Sequence, residues 1–303
     1  MTDKLTPGRD AVRRKGWLGA HRWLILRRLS QAVFLGIFLL GPWAGIWWVK
    51  GDLAGSMTFD VLPLTDPLIL LQGMVAGHWP ELTALTGALI VLAVYALVGG
   101  RVYCSWVCPV NPVTDAAHWL HARLGLPKGW QPKASTRLWL LGTVLAVSAL
   151  TGTIAWELVN PVTMLQRGIV FGMTAGWALI GAVFLFDLLL ARRGWCGRLC
   201  PVGAFYGLVG QKSVLRVSAA NRAACDDCMD CFAVCPEMAV ITPALRGTTA
   251  ETPLILSPDC TNCGRCIDVC AQDVFRFTHR FDAHPAPGRA DPTPSPARQR
   301  RAA

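Results

Sequence analysis

The sequence predicts a membrane α-helical fold, a four-transmembrane-helix bundle followed by a small C-terminal α+β module, on three observations. Four apolar runs reach about 20 residues each, the length that crosses a hydrocarbon core; cysteines crowd into short-spaced groups; and charge is scarce. The residues are 53% hydrophobic and 16% charged, against about 25% charged in ordinary soluble chains. A length of 303 residues accommodates one bundle of spans and one small module outside it.

In chain order, residues 1–28 form a polar, basic N-terminus that includes Arg13, Arg14, Lys15, Arg22, Arg27 and Arg28. The first span, 29–49, is too long for a signal-peptide core and lacks a cleavage site, so it reads as a retained helix. The Arg27-Arg28 pair before it reads as a positive flank rather than a twin-arginine export signal. Three further spans are expected at 82–102, 138–158 and 169–190, each long enough at the helical rise for a core of about 30 Å. The intervening stretch 61–77 is apolar but broken by Pro63, Asp66 and Pro67. In lipid these would leave backbone and charge unsatisfied, which points to an interfacial or re-entrant segment.

Loop charge orients the bundle. Residues 50–81 set Lys50 against Asp52, Asp60, Asp66 and Glu81, whereas 103–137 carries Arg123, Lys128, Lys133 and Arg137 with Asp115. Arg192, Arg193 and Arg198 follow the fourth span. Both termini and the central loop are therefore expected in the cytoplasm of a bacterial inner-membrane protein. The same bias accounts for the net charge of +10. The basic residues flank apolar runs instead of forming an aromatic-interleaved patch, which excludes nucleic-acid binding.

An internal repeat divides the domain at 29–202. Each half runs span, outer loop, span, then an aromatic-Cys-x3-Cys-Pro-Val motif, at Tyr103 to Val110 and at Trp195 to Val202. The outer loops echo each other in Asp66-Pro67 and Asn160-Pro161. The shared topology is consistent with an axis along the membrane normal.

All twelve cysteines lie in four tight groups, a pattern of metal ligands in a reducing compartment rather than of a disulfide framework. Cys225-x2-Cys228-x2-Cys231-x3-Cys235-Pro236 and Cys260-x2-Cys263-x2-Cys266-x3-Cys270 repeat the run that binds [4Fe–4S] clusters in bacterial ferredoxins, in which the fourth cysteine serves the other cluster. One cluster is therefore assigned to Cys225, Cys228, Cys231 and Cys270, and the second to Cys260, Cys263, Cys266 and Cys235. Structural zinc, which uses two separated cysteine pairs, fits a doubled three-spacer run poorly. The fourth cysteine of the second run precedes Ala271 instead of proline, which alters a turn and leaves the ligands intact. This module, 216–281, is thus a bacterial-type two-cluster ferredoxin unit, and the Pro-, Ala- and Arg-rich tail 282–303 is expected to be disordered.

The Cys-x3-Cys-Pro pairs leave several readings open. On a helix, Cys104 and Cys108, like Cys196 and Cys200, lie one turn apart on one face, and the following proline discourages further regular helix. They read as redox-active or relay thiols, as ligands of a further metal centre, as a surface contacting the clusters, or as small buried residues closing the bundle. Asp187, an ionisable group inside an apolar run, is a weak candidate for a proton acceptor near quinol, with simple solvation as the alternative; Glu157 invites the same weighing. None of the six histidines lies inside a proposed span and no Cys-x-x-Cys-His motif occurs, so membrane haem is unsupported. His118 and His121 read as a solvated helix face. Trp43, Trp47, Trp48, Trp79, Trp139 and Trp156 read as interface markers.

Four spans, two Cys-x3-Cys-Pro motifs and a doubled cluster run together resemble the NapH family, ferredoxin-type quinol dehydrogenase membrane components of the periplasmic nitrate reductase system. The strings Gly100 to Pro109 and Trp195 to Ala204 are particularly similar, and the resemblance covers about residues 25–280. It implies oxidation of a membrane quinol by a subunit acting within a complex. Electrons would pass to a periplasmic iron–sulfur subunit that feeds nitrate reductase. The methylamine-utilisation ferredoxin-type proteins share the architecture and remain an alternative, as does an assembly or maturation factor for a partner redox enzyme.

Overall fold

The computed structural model describes residues 7–127, 129–130, 132–191, 193–246 and 252–282. Lys128, Arg192, His284 and the tail beyond Asp282 lie outside the described residues.

Helix α1 (Arg9–Ala44) is, among the described residues, the one helix long and apolar enough to cross a membrane. It is broken at Gly16, whose φ of +75° suits glycine, and it stops at left-handed Gly45, short of the expected end at 49. The chain then forms an antiparallel meander that the apolar pattern did not reveal: β1 (Val49–Gly51), β2 (Gly55–Thr58) and β3 (Leu62–Thr65). Helix α2 (Pro67–Val75) follows, so strand and short helix occupy the stretch read as interfacial or re-entrant.

Asp66 starts α2 as an N-cap, its Oδ1 accepting the Leu68 N–H at 2.8 Å while Pro67 fixes the first helical φ. Asn160 does the same for α6 (Pro161–Phe171), accepting from Val162 at 3.1 Å. These caps, with glycine stops, cut the apolar runs differently from the expected spans. Helix α3 (Leu82–Val98) ends at Gly99, and α5 (Thr136–Thr151) ends at left-handed Gly152. Left-handed Gly172 separates α6 from α7 (Thr174–Leu185), which continues as a π-helical turn to Leu190. The three apolar helices at 82–98, 136–151 and 174–190 are each shorter than the expected spans. Residues beyond each break stay apolar, which is why composition alone overran the ends.

The repeat is visible as structure. In the first half α2, α3, a π-turn at Tyr103–Val107 and α4 (Val110–Leu124) follow one another. In the second, α6, α7, a π-turn at Trp195–Leu199 and α8 (Pro201–Val209) do so. The halves touch backbone to backbone: a Cβ on Gly100 would stand 1.6 Å from the Tyr206 carbonyl oxygen, and one on Gly210 2.4 Å from the Gly100 nitrogen. Tyr103, Val110, Leu141, Val183 and Tyr206 centre the core of this helical part. Trp156, expected among the interface tryptophans, is buried in that core, whereas Trp43, Trp47, Trp48, Trp79 and Trp139 are exposed.

The C-terminal module has its own core of Val217, Ile241, Leu245, Val274 and Phe275. A two-stranded antiparallel sheet, β4 (Leu215–Ser218) with β5 (Arg276–His279), pairs Val217 with Phe277. Three short helices complete it: α9 (Asp230–Val234), α10 (Ile241–Arg246) and α11 (Arg265–Val269). The module docks on α1 past the Gly16 break, where Asp268 accepts the Trp23 and Leu24 N–H groups at 3.1 and 2.9 Å.

Candidate functional site

Both cysteine runs bend by the same device. The residues before and after the middle cysteine are left-handed: Asp227 and Met229 around Cys228, Asn262 and Gly264 around Cys263. Such alternation turns successive N–H groups into a concave nest suited to an anionic group. Helices α9 and α11 then carry the chain to Cys235 and Cys270, both extended. The outcome is a crossed arrangement. One cavity is lined by Cys225, Cys228, Cys231 and Cys270, and the other by Cys260, Cys263, Cys266 and Cys235. Among the described residues, no three Cys, His, Asp or Glu groups stand close enough to hold a single metal ion. Each quartet lines one cavity beside a nest, and four thiols are the donor set that an iron–sulfur cluster requires.

Burial pushes the thiols of Cys228, Cys231 and Cys235 up to about 12, and that of Cys260 to about 11. Cys263 differs: burial acts on it too, but the Arg265 and Arg27 guanidinium groups hold it below the ordinary thiol value.

Of the four remaining cysteines, Cys104 and Cys196 lie within the two π-turns and Cys108 and Cys200 close them, in place of the α-helical turns that the spacing suggested. The Cys108 N–H donates to the Tyr103 carbonyl and the Cys200 N–H to the Trp195 carbonyl, both at 2.9 Å. Backbone angles match, with φ/ψ of −61°/119° at Cys108 and −66°/115° at Cys200. Pro109 then caps α4 and Pro201 begins α8, so neither proline ends a helix. The pairs converge: in each of the six pairings among Cys104, Cys108, Cys196 and Cys200 the two thiols are within electrostatic range of one another. Thr114 Oγ1 lies 3.7 Å from Cys196 Sγ.

A buried charge network joins these turns to the ferredoxin-type module. Arg101 donates to the Asp259 carbonyl at 2.9 Å and the Cys196 carbonyl at 3.2 Å, and pairs with Glu237 at 3.8 Å. Arg137 donates to the Gly197 carbonyl at 3.2 Å and pairs with Asp259 and Glu237, while Arg198 reaches Glu237 at 3.4 Å. Ser105 Oγ donates to the Thr261 carbonyl at 2.7 Å and Trp106 Nε1 to the Asn262 carbonyl at 3.0 Å. The first π-turn therefore hydrogen-bonds directly to the Cys260–Cys266 loop.

A second network centres on Asp115 of α4. It pairs with Arg28, with Arg265 at 2.5 Å and with Arg27 at 4.0 Å. Burial opposes its charge, but Arg265, Arg193 and Arg28 overcome it and hold the carboxyl well below the usual range. Arg27, only 1% exposed, is lowered to about 10 by burial and by Arg265. The pair read as a membrane flank thus anchors α1 to α4 and α11. These arginines and acids were missed as site residues because they resemble loop charges. The available signal was adjacency: Asp259 precedes Cys260, Glu237 follows Cys235-Pro236, and Arg198 lies inside a Cys-x3-Cys motif.

Three single-residue readings change. Asp187 is fully buried and accepts the Trp195 N–H at 2.8 Å, so it braces the second π-turn and is not simply solvated. His121 is buried with Nδ1 2.8 Å from the Leu188 carbonyl oxygen, so it does not belong to a solvated face; His118 is half-buried. Glu157 accepts from Asn160 and Arg167 at 3.1 and 3.2 Å. All three tyrosines of the chain meet beside the thiols: Tyr103 stacks on Tyr206 with centroids 5.0 Å apart, and Tyr95 meets both edge-on.

A mostly helical chain carrying a ferredoxin-type C-terminal module with two four-cysteine cavities defines an iron–sulfur electron-transfer protein. Family profiles agree: a "4Fe-4S binding domain" matches residues 81–127 and 173–218, and a "4Fe-4S dicluster domain" matches 224–283. The chain is 50% identical over 282 residues to the ferredoxin-type protein NapH of Escherichia coli K12, covering 92% of this chain and 97% of that one. It is 56% identical over 272 residues to the methylamine utilization ferredoxin-type protein MauN of Paracoccus denitrificans, covering 89% and 95%. It is 54% identical over 271 residues to MauN of Methylorubrum extorquens, covering 89% and 94%. The chain belongs to this NapH/MauN family of ferredoxin-type proteins. No solved structure matches it.

Proposed function

We propose that the chain is a quinol-oxidising membrane component that passes electrons from the quinol pool through two [4Fe–4S] clusters towards a periplasmic nitrate reductase, within a complex that includes a periplasmic iron–sulfur subunit. Cys225, Cys228, Cys231 and Cys270 hold one cluster; Cys260, Cys263, Cys266 and Cys235 hold the other. The observation that carries the reading is the crossed lining of the two cavities, in which each run donates its last thiol to the other run's ring. When bound, such clusters supply one-electron storage at potentials set by charge, hydrogen bonds and exposure.

The chain's residues have definable parts in this. The nests and thiols bind and orient the clusters. Arg265 and Arg27 place positive charge beside Cys263, which favours its thiolate. The Arg101, Arg137 and Arg198 network holds the helical part against the module, so that donor and acceptor distances stay fixed. The long apolar α1 and the apolar helices at 82–98, 136–151 and 174–190 support a four-span anchor. Loop charge and the short, metal-ligand spacing of the clustered cysteines support a cytoplasmic N-terminus and iron–sulfur module.

The test is reduction. A quinol analogue added to anaerobic membranes containing all partners is expected to reduce the clusters, read by low-temperature EPR. Clusters that stay oxidised there rule out the dehydrogenase role. A methylamine-oxidation role is the second reading, resting on the likeness to MauN proteins beside that to NapH. Deletion of the gene decides between them: loss of quinol-dependent nitrate reduction supports the first, and loss of growth on methylamine alone supports the second.

A further inference from the structure

We propose that Arg265, Arg27 and Arg193 fix the order in which the two cavities of the module take up an electron. They raise the potential of the proximal site, at Cys235, Cys260, Cys263 and Cys266, above that of the distal site, at Cys225, Cys228, Cys231 and Cys270. The electron then rests beside the helical part, a ranking that rests on the reading above in taking both cavities as cluster sites.

The proximal cavity is the one that meets the helical part. Ser105 and Trp106 donate to the Thr261 and Asn262 carbonyls of its loop, and a Cβ on Gly264 would stand 2.6 Å from Trp23 Cγ of α1. Arg265 lines this cavity. Its Nη2 lies 2.5 Å from an Asp115 oxygen that Arg28 also reaches and that stands 4.0 Å from Arg27 Nη1. Arg193 donates from Nη1 to the Val234 carbonyl at 2.8 Å, one residue before Cys235. One carboxylate thus serves three guanidinium groups, which stay charged at neutral pH. Glu237 and Asp259 line the cavity too, but Arg101, Arg137 and Arg198 share those two acids. Positive charge is left in excess, and it is buried where salt screens little: Arg27 is 1% and Arg265 9% exposed.

Unmet hydrogen bonding is a second, independent observation. Arg265 Nε, Arg193 Nε, and both Nε and Nη1 of Arg27 are buried and make no hydrogen bond among the described residues. Charged donors left so are costly unless an anion lies near them. A cluster held by four thiolates is such an anion, and its one-electron reduction, which makes and breaks no bond, adds negative charge. Excess buried positive charge therefore favours the reduced form and raises the potential. The distal cavity has the opposite setting. Asp226 and Asp227 line it, and among the described residues no basic side chain does. Asp226 accepts the Cys228 N–H at 3.2 Å. Arg246 approaches Asp227 only to 4.0 Å and is 44% exposed, so solvent weakens its effect. Buried Arg222 donates to the Ala244 carbonyl at 3.5 Å.

The experiment is an EPR-monitored redox titration of the full chain, purified anaerobically in detergent, with signals assigned through Cys263→Ser and Cys228→Ser, which perturb one cavity each. The proximal signal is expected to appear first as the potential is lowered. Arg193→Gln keeps an amide donor for the Val234 carbonyl but removes the charge. It should lower the proximal reduced-to-oxidised ratio at a fixed poise about tenfold, or about 59 mV for one electron, and Arg193→Lys should restore most of it. Arg27→Gln should act in the same direction. Asp227→Asn, tolerated at a left-handed position, should raise the distal potential and leave the proximal one in place. Equal or reversed midpoints in the wild type would overturn the proposal, as would an unmoved proximal potential in both Arg193→Gln and Arg27→Gln. If the arginine variants do not fold, the wild-type order decides. Two signals in the wrong order refute the ranking alone, whereas a chain that shows neither signal under full reduction refutes the cluster reading beneath it as well.

Discussion

Asp66→Asn is expected to stabilise the protein at neutral pH. Asp66 caps α2 from a site only 8% exposed. Burial raises its carboxyl from 3.8 to about 6, against the pull of the Leu68 and Ile69 N–H groups and with a further push from Glu157. A folded-state value above the unfolded one means that the folded chain binds the proton more tightly. The contribution is most favourable below about pH 4, weakens as pH rises towards 6, and is fully unfavourable above it. At about 1.4 kcal/mol for each tenfold change in proton affinity, the gap costs about 3 kcal/mol at neutral pH. Asparagine caps about as well as aspartate and loses only about 0.5 kcal/mol of interaction with the helix dipole. A net gain of about 2 kcal/mol, or about 4–8 °C in Tm for a chain of this size, should appear in thermal unfolding followed by tryptophan fluorescence at neutral pH and shrink towards pH 4. The second repeat supplies the control. Asn160→Asp places a carboxylate where the Asn160 amide now donates to Glu157 at 3.1 Å, so it should destabilise at neutral pH and recover in acid. Equal melting of Asp66→Asn and wild type at every pH would refute the burial argument.

The crossed ligation predicts that Cys235→Ser perturbs the EPR signal of the cluster held by Cys260, Cys263 and Cys266, while Cys270→Ser perturbs the other; the reverse pattern would overturn the assignment. Gly100→Ala drives a methyl group into the Tyr206 carbonyl, a backbone atom with little room to yield. It should cost about 3 kcal/mol or more, seen as a loss of folded yield. Asp115→Asn leaves Arg28 and Arg265 without their carboxylate and should destabilise by about 3–5 kcal/mol. Because the Asp115 carboxyl is held low, its stabilisation is present above the ordinary aspartate value and fades as pH falls below it; an acid titration of Tm should show that the variant and wild type converge.

The grouping of the cysteines was visible in the sequence because cluster ligation fixes spacing within a short segment, and the two cavities are lined by the quartets that the crossed motif rule pairs. The repeat was legible for the same reason, through two local motifs. Helix ends were not, because Gly99, Gly152 and Gly172 interrupt runs whose composition stays apolar on both sides. The β1–β3 meander was hidden among residues with no alternating pattern. The arginine networks were invisible for a deeper reason. Whether Arg101 or Arg137 is a solvated loop charge or a buried tie depends on which distant acid the fold brings to it, and Asp259 lies more than a hundred residues away from either.

The convergence of Tyr95, Tyr103 and Tyr206 has a practical consequence. Because the chain contains no other tyrosine, any isotope placed in tyrosine rings during growth marks a single locality, between the Asp66 cap and the π-turn thiols. Magic-angle-spinning spectra of such a sample in lipid would report on that locality without assignment of the rest of the chain. Paramagnetic broadening of those resonances on reduction would measure, in the intact membrane, how near an unpaired electron comes to the aromatic stack.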